Sequence, residues 1–349
     1  MDVIQYNQKY YNEIICNRKC GSNKFEQINF NLGGMAKEEL KQQWLCHVKA
    51  DKFANNFYQG KRVIATTGFG LTGVPHVGNI GQIIKAIKLQ KSGIPVQIVL
   101  GDLDAYCGKA KNWHSIKNLV SKYKQFIKNL GFKNEYPSIV RTQSEALNVL
   151  KTLYLTGYYI NDKMFDLAKE DIHDYYSQQG KIDKDMTYRI KLSLNLMVAD
   201  FIDPHISAGY DNVIVFLGID EYKYVGLAMN VLRDLQANDC CSNFNLSALF
   251  SFTMKGLNNF PKMGKSLPGS GLRPLMNYNK IRKVIMLSGD QETIPEDNIV
   301  FQMISSASFY SMEKIKYAKF VYQNNVLQWE IIKKEYLSDL LTIFGKWEK

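Results

Sequence analysis

Apolar positions along this chain follow two rhythms. Unbroken β-branched and aliphatic runs predict buried strands. They are Val63, Ile64, Thr66 and Thr67; the stretch after the Gly93-Ile94-Pro95 break, ending at Gly101-Asp102; the short Tyr136–Arg141; and NVIVFL at 212–217. A spacing of three to four predicts a helix over Lys37–Gln59, striped by Leu40, Trp44, Val48 and Phe53. Further helices are predicted over 115–130, 191–202 and 224–235, and from Asn298 to Lys349 with Trp329 and Phe344 as anchors. Asp203-Pro204 reads as the stop of the 191–202 helix. Residues 142–188 are helical and mixed in charge, a connecting insertion between two halves of a sheet. From Ser251 to Leu272 the pattern dissolves into a loop, because Gly256, Pro261, Gly264, Pro268, Gly269 and Gly271 interrupt any regular element. Residues 1–34 are polar, close on Gly33-Gly34, and predict an extension or loose cap.

The densest pattern spans Arg62–Lys109: strand, a turn with Gly68, Gly70 and Gly73, a helix headed by His76-Val77-Gly78-Asn79, and a second strand. That is a right-handed βαβ unit, whose helix N-terminus offers backbone N–H groups to a phosphate. Alternating strands and helices predict an α/β fold with a doubly wound, Rossmann-type parallel sheet and ligands at the carboxyl ends of its strands. The expected organisation is an N-terminal extension and helix (1–60), a catalytic domain (61–272) with a helical insertion at about 110–190, and a small C-terminal helical domain (273–349).

Composition narrows this modestly. The 349 residues carry 44 Lys+Arg against 33 Asp+Glu, a net charge of +11 in an otherwise ordinary globular composition. No membrane span or signal peptide is legible, so a cytoplasmic protein is expected. The charge has one local focus. Ala105–Asn134 contains no acidic residue, while Lys109, Lys111, Lys117, Lys122, Lys124, Lys128 and Lys133 accumulate around Trp113 and Tyr123, a segment suited to a phosphate backbone or to a solvated helix face. Cys16, Cys20 and Cys46 with His47 are four metal donors on paper, but their spacing lacks the paired knuckles of zinc modules. These, Cys107, Cys240 and Cys241 are expected as free thiols, and no resident metal is expected.

Three turns need a common explanation: Pro75–Asn79, Gly218-Ile219-Asp220-Glu221 and Pro261-Lys262-Met263-Gly264-Lys265-Ser266. Each alone is weak. Their order resembles the class I aminoacyl-tRNA synthetases, in the small tyrosine and tryptophan subclass. His76–Asn79 matches the first ATP motif of that class, and Lys262–Ser266 matches its mobile second loop, with Gly264 where serine is usual. Asp102–Lys109 and Phe216–Lys223 are similar to archaeal and eukaryotic tyrosine enzymes, whereas helix 191–202 is closer to the tryptophan pattern. Lys280–Ser288 and Trp329–Phe344 resemble pieces of a shortened anticodon-side domain, so the likeness runs from about Leu40 to the C-terminus.

The resemblance implies ATP-dependent activation of an aromatic amino acid and its transfer to tRNA, with Mg²⁺ arriving on the nucleotide. His76 and Asn79 are then donors to phosphate oxygens, Lys262, Lys265 and Ser266 close over the β- and γ-phosphates, and Asp220 accepts from the ribose. Gly68, Gly70 and Gly78 would let the nucleotide approach the backbone, and Gly218 and Met263 fall in the same ATP site. Ser193, Met197 and Asp200 share one helix face, which in the family contacts the substrate side chain. Met197 and Asp200 resemble tryptophan enzymes, with sulfur packed on the indole and a carboxylate accepting its N–H.

Thr66 stands where tyrosine enzymes carry tyrosine, Ser193 replaces the usual aromatic, and Glu221 replaces the glutamine after the ribose-binding acid. The amino-group clamp has therefore been rebuilt, with Glu221 a candidate ion partner for the α-ammonium. Tryptophan is favoured over tyrosine, and an unusual amino acid stays open. Lys109, Lys111 and Lys117 would lie near the tRNA acceptor stem. A homodimer through the insertion is the family expectation. Two other readings stay open: a paralogue that activates an amino acid for another acceptor, and a non-catalytic RNA-binding relative. Retention of His76, Asp220, Lys262 and Lys265 argues against the last.

Overall fold

The computed structural model describes residues 4–17, 21–27, 29–238, 241–287 and 292–348. Cys20, Cys240, Ser288 and Lys349, named above, lie outside the described residues. Within them, seven strands build one sheet: β1 (Asn23–Lys24), β2 (Cys46–Val48), β3 (Val63–Gly70), β4 (Val96–Gly101), β5 (Ile139–Thr142), β6 (Asn212–Gly218) and β7 (Asn245–Ser251). Their order is β1-β2-β7-β6-β3-β4-β5. The five from β7 to β5 are parallel, as a doubly wound fold requires. Two short antiparallel strands, β1 and β2, extend the β7 edge.

Chain order runs outward from β3 through β4 to β5, then returns to β6 on the other flank of β3. The switch point therefore lies between β3 and β6. Register makes this more than a topological remark. The β3–β6 ladder ends at Thr66↔Val215, although β3 continues to Gly70 and β6 to Gly218. The two strands part there and open a crevice. A polar knot closes its floor: Thr67 Oγ1 donates to the Phe216 carbonyl at 2.8 Å, and Gln82 Nε2 donates to Thr67 Oγ1 at 2.9 Å and to the same carbonyl at 2.5 Å. The carbonyl freed by the parting strands is thus satisfied without a neighbouring strand.

Side chains alternate across the sheet between two cores. Ile214 and Phe216 face the core shared with the helices Val77–Lys91 and Trp113–Leu130 and with the C-terminal helices, whereas Val213, Val215 and Leu217 face the core under Tyr188–Ala208 and Tyr222–Ala237. The C-terminal helices are Tyr278–Leu287, Ile299–Ser306, Met312–Asn324 and Val326–Gly345, with Trp329 and Phe344 buried as expected. Ile299–Ser306 approaches Val77–Lys91 so closely that a Cβ on Gly81 would lie 2.9 Å from the Ser306 carbonyl oxygen. Lys85 Nζ donates across the same contact to Ser306 Oγ at 2.8 Å.

Three local expectations change. The helix expected over Lys37–Gln59 is broken into Lys37–Gln43, β2 and Ala50–Tyr58, because Leu45–Val48 pairs with the open β7 edge and Lys49 turns the chain at φ 52°. Pro204 does not stop its helix, which runs Tyr188–Ala208 and ends at Gly209 with φ 65°. That helix is buried along most of its length, and packing outweighs the roughly 3 kcal/mol an internal proline costs. The N-terminal segment is not loose. Helix Gln8–Cys16 buries Tyr11, Ile14 and Ile15 in the second core, and Tyr11 Oη donates to the Thr253 carbonyl at 3.1 Å.

Candidate active site

A cleft of about 930 Å³ opens at the carboxyl ends of β3 and β6, bounded by the Val77–Lys91 N-terminus, the Tyr188–Ala208 helix and the 251–272 loop. It gathers most of the residues singled out above. His76, Asn79, Met263, Lys262, Lys265 and Ser266 line it together with Gly68, Gly70 and Glu221; Thr66, Ser193, Met197 and Asp200 form another part of its wall; Lys109 and Lys111 also line it. Gly78, Gly218, Asp220 and Lys117 are not in the lining.

His76 is the N-cap of Val77–Lys91. Its Nδ1 accepts from the Gly78 N–H at 3.1 Å, while Asn79 Oδ1 accepts from the His76 N–H at 3.3 Å, a reciprocal cap. An acceptor Nδ1 assigns the proton of the neutral ring to Nε2, leaving a donor. Burial, followed by the charges of Lys265, Arg273 and Lys262, holds the His76 pKa well below the ordinary histidine value, so the ring stays neutral. Gly78 has a different job from close passage of a nucleotide: a Cβ there would lie 2.9 Å from the His76 ring, so glycine makes room for the cap. Gly68 and Gly70 similarly face protein atoms, since Cβ atoms would meet the Val99 carbonyl oxygen at 2.8 Å and Asp104 Oδ2 at 2.5 Å.

The two loop lysines hold different partners. Lys262 Nζ lies 2.5 Å from Asp220 Oδ2 and 3.8 Å from Glu170 Oε2, with the Tyr176 ring centroid 5.6 Å away. Burial alone would depress this ammonium, but Asp220 and then Tyr176 and Glu170 outweigh it and raise its pKa well above the usual lysine value. Asp220 also accepts from Thr253 Oγ1 at 2.6 Å. Against the penalty of burial, Lys262 holds its carboxyl below the ordinary aspartate value. Lys265 donates to the Gly70 carbonyl and sits 5.1 Å from the Phe69 ring centroid. Burial lowers its pKa to about 8, opposed by Asp104 and Glu221. Glu221 is pushed up to about 8 by burial and by the Asp220 carboxylate.

A hydrogen-bonded wall faces these cations. Gln97 Nε2 donates to Thr66 Oγ1 at 3.1 Å, Arg141 Nε to Gln97 Oε1 at 3.0 Å, and Arg141 Nη2 to Asp200 Oδ1 at 2.7 Å. Gln143 Nε2 takes the other Asp200 oxygen at 2.8 Å, and Gln143 Oε1 accepts the Asp104 N–H at 3.0 Å. Ser193 Oγ donates to Asp104 Oδ1 at 2.8 Å. Asp200 is thus not a bare acceptor: each oxygen already takes one bond, and only its remaining lone pairs are left for a ligand.

Asp104, Gln143, Arg141, Glu170 and Tyr176 were missed in the sequence reading. Asp104 lay inside the Asp102–Lys109 stretch already noted, but Glu170 and Tyr176 sit in an insertion with no motif to mark them. The basic helix is Trp113–Leu130; Lys109, Lys111, Lys117, Lys122 and Lys128 are exposed along this stretch. Lys117 Nζ lies 5.8 Å from the Trp113 ring centroid, and Lys124 pairs with Glu145 at 2.8 Å. Among the described residues, no group of three or more His, Cys, Asp or Glu is arranged to hold a metal, and no helix is long and apolar enough to cross a membrane.

A family model described as tRNA synthetases class I (W and Y) matches residues 58–342. No curated protein matches the chain in sequence. Among solved structures, the chain superposes on tryptophanyl-tRNA synthetase from the archaeon Aeropyrum pernix with a TM-score of 0.75 at 16% identity, covering 97% of this chain and 94% of that one. The tryptophanyl-tRNA synthetase homolog from Entamoeba histolytica gives 0.73 at 14% identity, covering 100% and 94%. Tyrosyl-tRNA synthetase from Archaeoglobus fulgidus, complexed with L-tyrosine, gives 0.68 at 18%, covering 89% and 98%. At such identities the likeness establishes the fold.

The buried neutral His76 makes a pH prediction. Because its folded pKa lies below the value of 6.5 of a free histidine, the unfolded chain binds the extra proton first and stability falls as pH drops through 6.5. Urea unfolding of the wild type should lose more stability between pH 8 and pH 5 than His76→Asn, which keeps a capping side chain; equal losses would contradict a buried neutral ring.

Proposed function

The chain belongs to the class I tRNA synthetase family of the tryptophan and tyrosine enzymes, a family of ligases, and we propose that it activates tryptophan with ATP and transfers it to tRNA. The observation that carries the reading is the convergence of His76, Asn79, Lys262, Lys265 and Ser266 on one cleft at the switch point, with Asp220 directly behind Lys262.

Activation brings two anions together. A substrate carboxylate oxygen attacks the α-phosphorus, and the bond from that phosphorus to the bridging oxygen breaks as pyrophosphate leaves with the electron pair. Donors must follow charge onto the phosphates. Neutral His76 offers Nε2–H, and Asn79 its side-chain amide. Lys265 and Ser266 are carried by a loop able to close. Asp220, whose two oxygens take one bond each from Thr253 and Lys262, keeps lone pairs to accept from a ribose. Glu170, beside Lys262, would be the carboxylate able to help hold a Mg²⁺ ion carried by the nucleotide, which would supply charge neutralisation at the phosphates.

On the amino-acid side, Glu221 and Asp104 are the acceptors for the α-ammonium, Asp104 being oriented by Ser193. Met197 and the lone pairs left on Asp200 face the substrate side chain, and Thr66 leaves the space that a ring would fill. This set suits an indole, with its apolar body and single N–H, better than a phenol. Lys109, Lys111 and Lys117 form a basic strip beside the cleft for the acceptor stem of tRNA. The insertion exposes Leu147, Tyr154 and Tyr158 at 72, 82 and 86% of their surface, which supports a homodimer through this face. A cytoplasmic location belongs to the same proposal.

ATP–pyrophosphate exchange with each of the twenty amino acids tests the core of the reading: tryptophan should drive it best, and silence with all twenty would sink it. Exchange without tRNA charging would move the protein to the paralogue reading. Replacing Lys117, which is exposed and stands outside the cleft lining, with glutamate should reduce charging and its salt dependence while leaving exchange intact.

Glu221 gives a pH test. With a pKa of about 8 in the free protein, it is mostly protonated at pH 7 and must lose its proton to meet an ammonium. Amino-acid affinity should therefore rise from pH 6.5 to about 8, with proton release on binding, and Glu221→Gln should flatten the profile. A wild-type profile already flat over that range would remove Glu221 from the clamp.

For the assembly, light scattering of the purified chain should give twice the 40.1 kDa of one copy. Tyr154→Glu with Tyr158→Glu should halve it; a wild type that is monomeric at micromolar concentration would refute the interface.

A further inference from the structure

The mobile loop lacks a side chain at Gly264, between the two lysines that close on the nucleotide. The space that a side chain would enter is already claimed. A Cβ at position 264 would lie 3.2 Å from the Tyr176 hydroxyl and 3.5 Å from Leu267 Cδ1. Tyr176 comes from the insertion helix His173–Gln178, 88 residues earlier in the chain, and lines the cleft beside Lys262, Gly264 and Lys265.

We propose that Tyr176 is a further catalytic residue, whose hydroxyl donates a hydrogen bond to the leaving pyrophosphate in place of the loop hydroxyl that Gly264 cannot supply. Glycine at 264 is then the counterpart of tyrosine at 176, because a larger residue would press the phenol out of line. This deepens the adenylation reading and rests on it.

Three observations support the assignment. The ring stands beside Lys262, whose Nζ lies 5.6 Å from its centroid, so the hydroxyl and the ammonium border the same part of the cleft. Among the described residues the hydroxyl makes no hydrogen bond to protein, so its donor is available to a ligand. Burial, against the pull of Lys262, raises its pKa to about 12, so it keeps its proton and acts as a donor throughout. No proton is transferred: the phenol O–H stays intact while the bond from the α-phosphorus breaks and pyrophosphate takes the electron pair. Only a group that meets charge as it develops raises turnover without tightening ground-state binding.

The test uses full-length wild type, Tyr176→Phe, Gly264→Ser and the double variant in tryptophan-dependent ATP–pyrophosphate exchange. Tyr176→Phe should lower kcat by about tenfold to a hundredfold, the range for losing one hydrogen bond to a charged group, with a much smaller change in KM for ATP. Gly264→Ser should also slow exchange, because its Cβ crowds the phenol. Adding Gly264→Ser to Tyr176→Phe should recover activity, because position 264 then carries a hydroxyl where the phenol's was lost. Exchange at the wild-type rate in Tyr176→Phe overturns the proposal, as does a double variant slower than Tyr176→Phe alone. If wild type exchanges with no amino acid, the adenylation reading fails separately. Calorimetric binding of inorganic pyrophosphate then decides the contact: Tyr176→Phe should bind it about tenfold more weakly, and unchanged affinity overturns the contact.

Discussion

The separation of β3 from β6 beyond Thr66 and Val215 is the constraint on which the molecule's chemistry depends. Two parallel strands that stop pairing leave backbone groups with no ladder partner, and each must find another or stay solvated. Thr67 and Gln82 satisfy the Phe216 carbonyl, and Lys265 takes the Gly70 carbonyl. The crevice exists because a sheet wound in both directions has to part somewhere. It is polar because parted strands are polar.

Charge is then balanced inside that crevice. Burial alone would lower the Lys262 pKa, and pairing with Asp220 outweighs that and keeps the side chain a cation. The pair is tied to distant parts of the chain. Thr253 donates to Asp220, and Tyr11 of the N-terminal helix donates to the Thr253 carbonyl. On the other flank Tyr10 Oη donates to Asp171 at 2.8 Å, and Asp171 pairs with Lys223 at 2.5 Å. Contacts from the N-terminal helix thus reach both the Asp220 side of the pair and, separately, the insertion at Asp171.

The opposite wall is organised differently. From Thr66 through Gln97, Arg141, Asp200, Gln143 and Asp104 to Ser193, each side chain is oriented by the next. Such a network resists the rotation of any single member, because a half-satisfied buried chain costs more than an apolar one. Asp200 accordingly presents to the cleft only the lone pairs that Arg141 and Gln143 leave free.

Residues that act through local spacing were readable before any coordinates. The buried strands, the helix headed by His76, the glycine-rich loop and the order of the three turns follow from periodicity and from backbone preferences acting over a few residues. Gathering most of the candidate residues into one cleft was the work of the sheet topology. Contacts between distant segments were not readable. Ser193 meets Asp104 across 89 residues and Arg141 meets Asp200 across 59. Tyr176 and Glu170 carry no local signature at all. The same long-range competition broke the 37–59 helix, where an open β7 edge outbid helical spacing, and carried Tyr188–Ala208 through Pro204, where burial outweighed the proline. Even Gly78 and Gly264 changed meaning: their spacing marked them as motif positions, but only packing revealed what a Cβ would meet, the His76 ring in one case and the Tyr176 hydroxyl in the other.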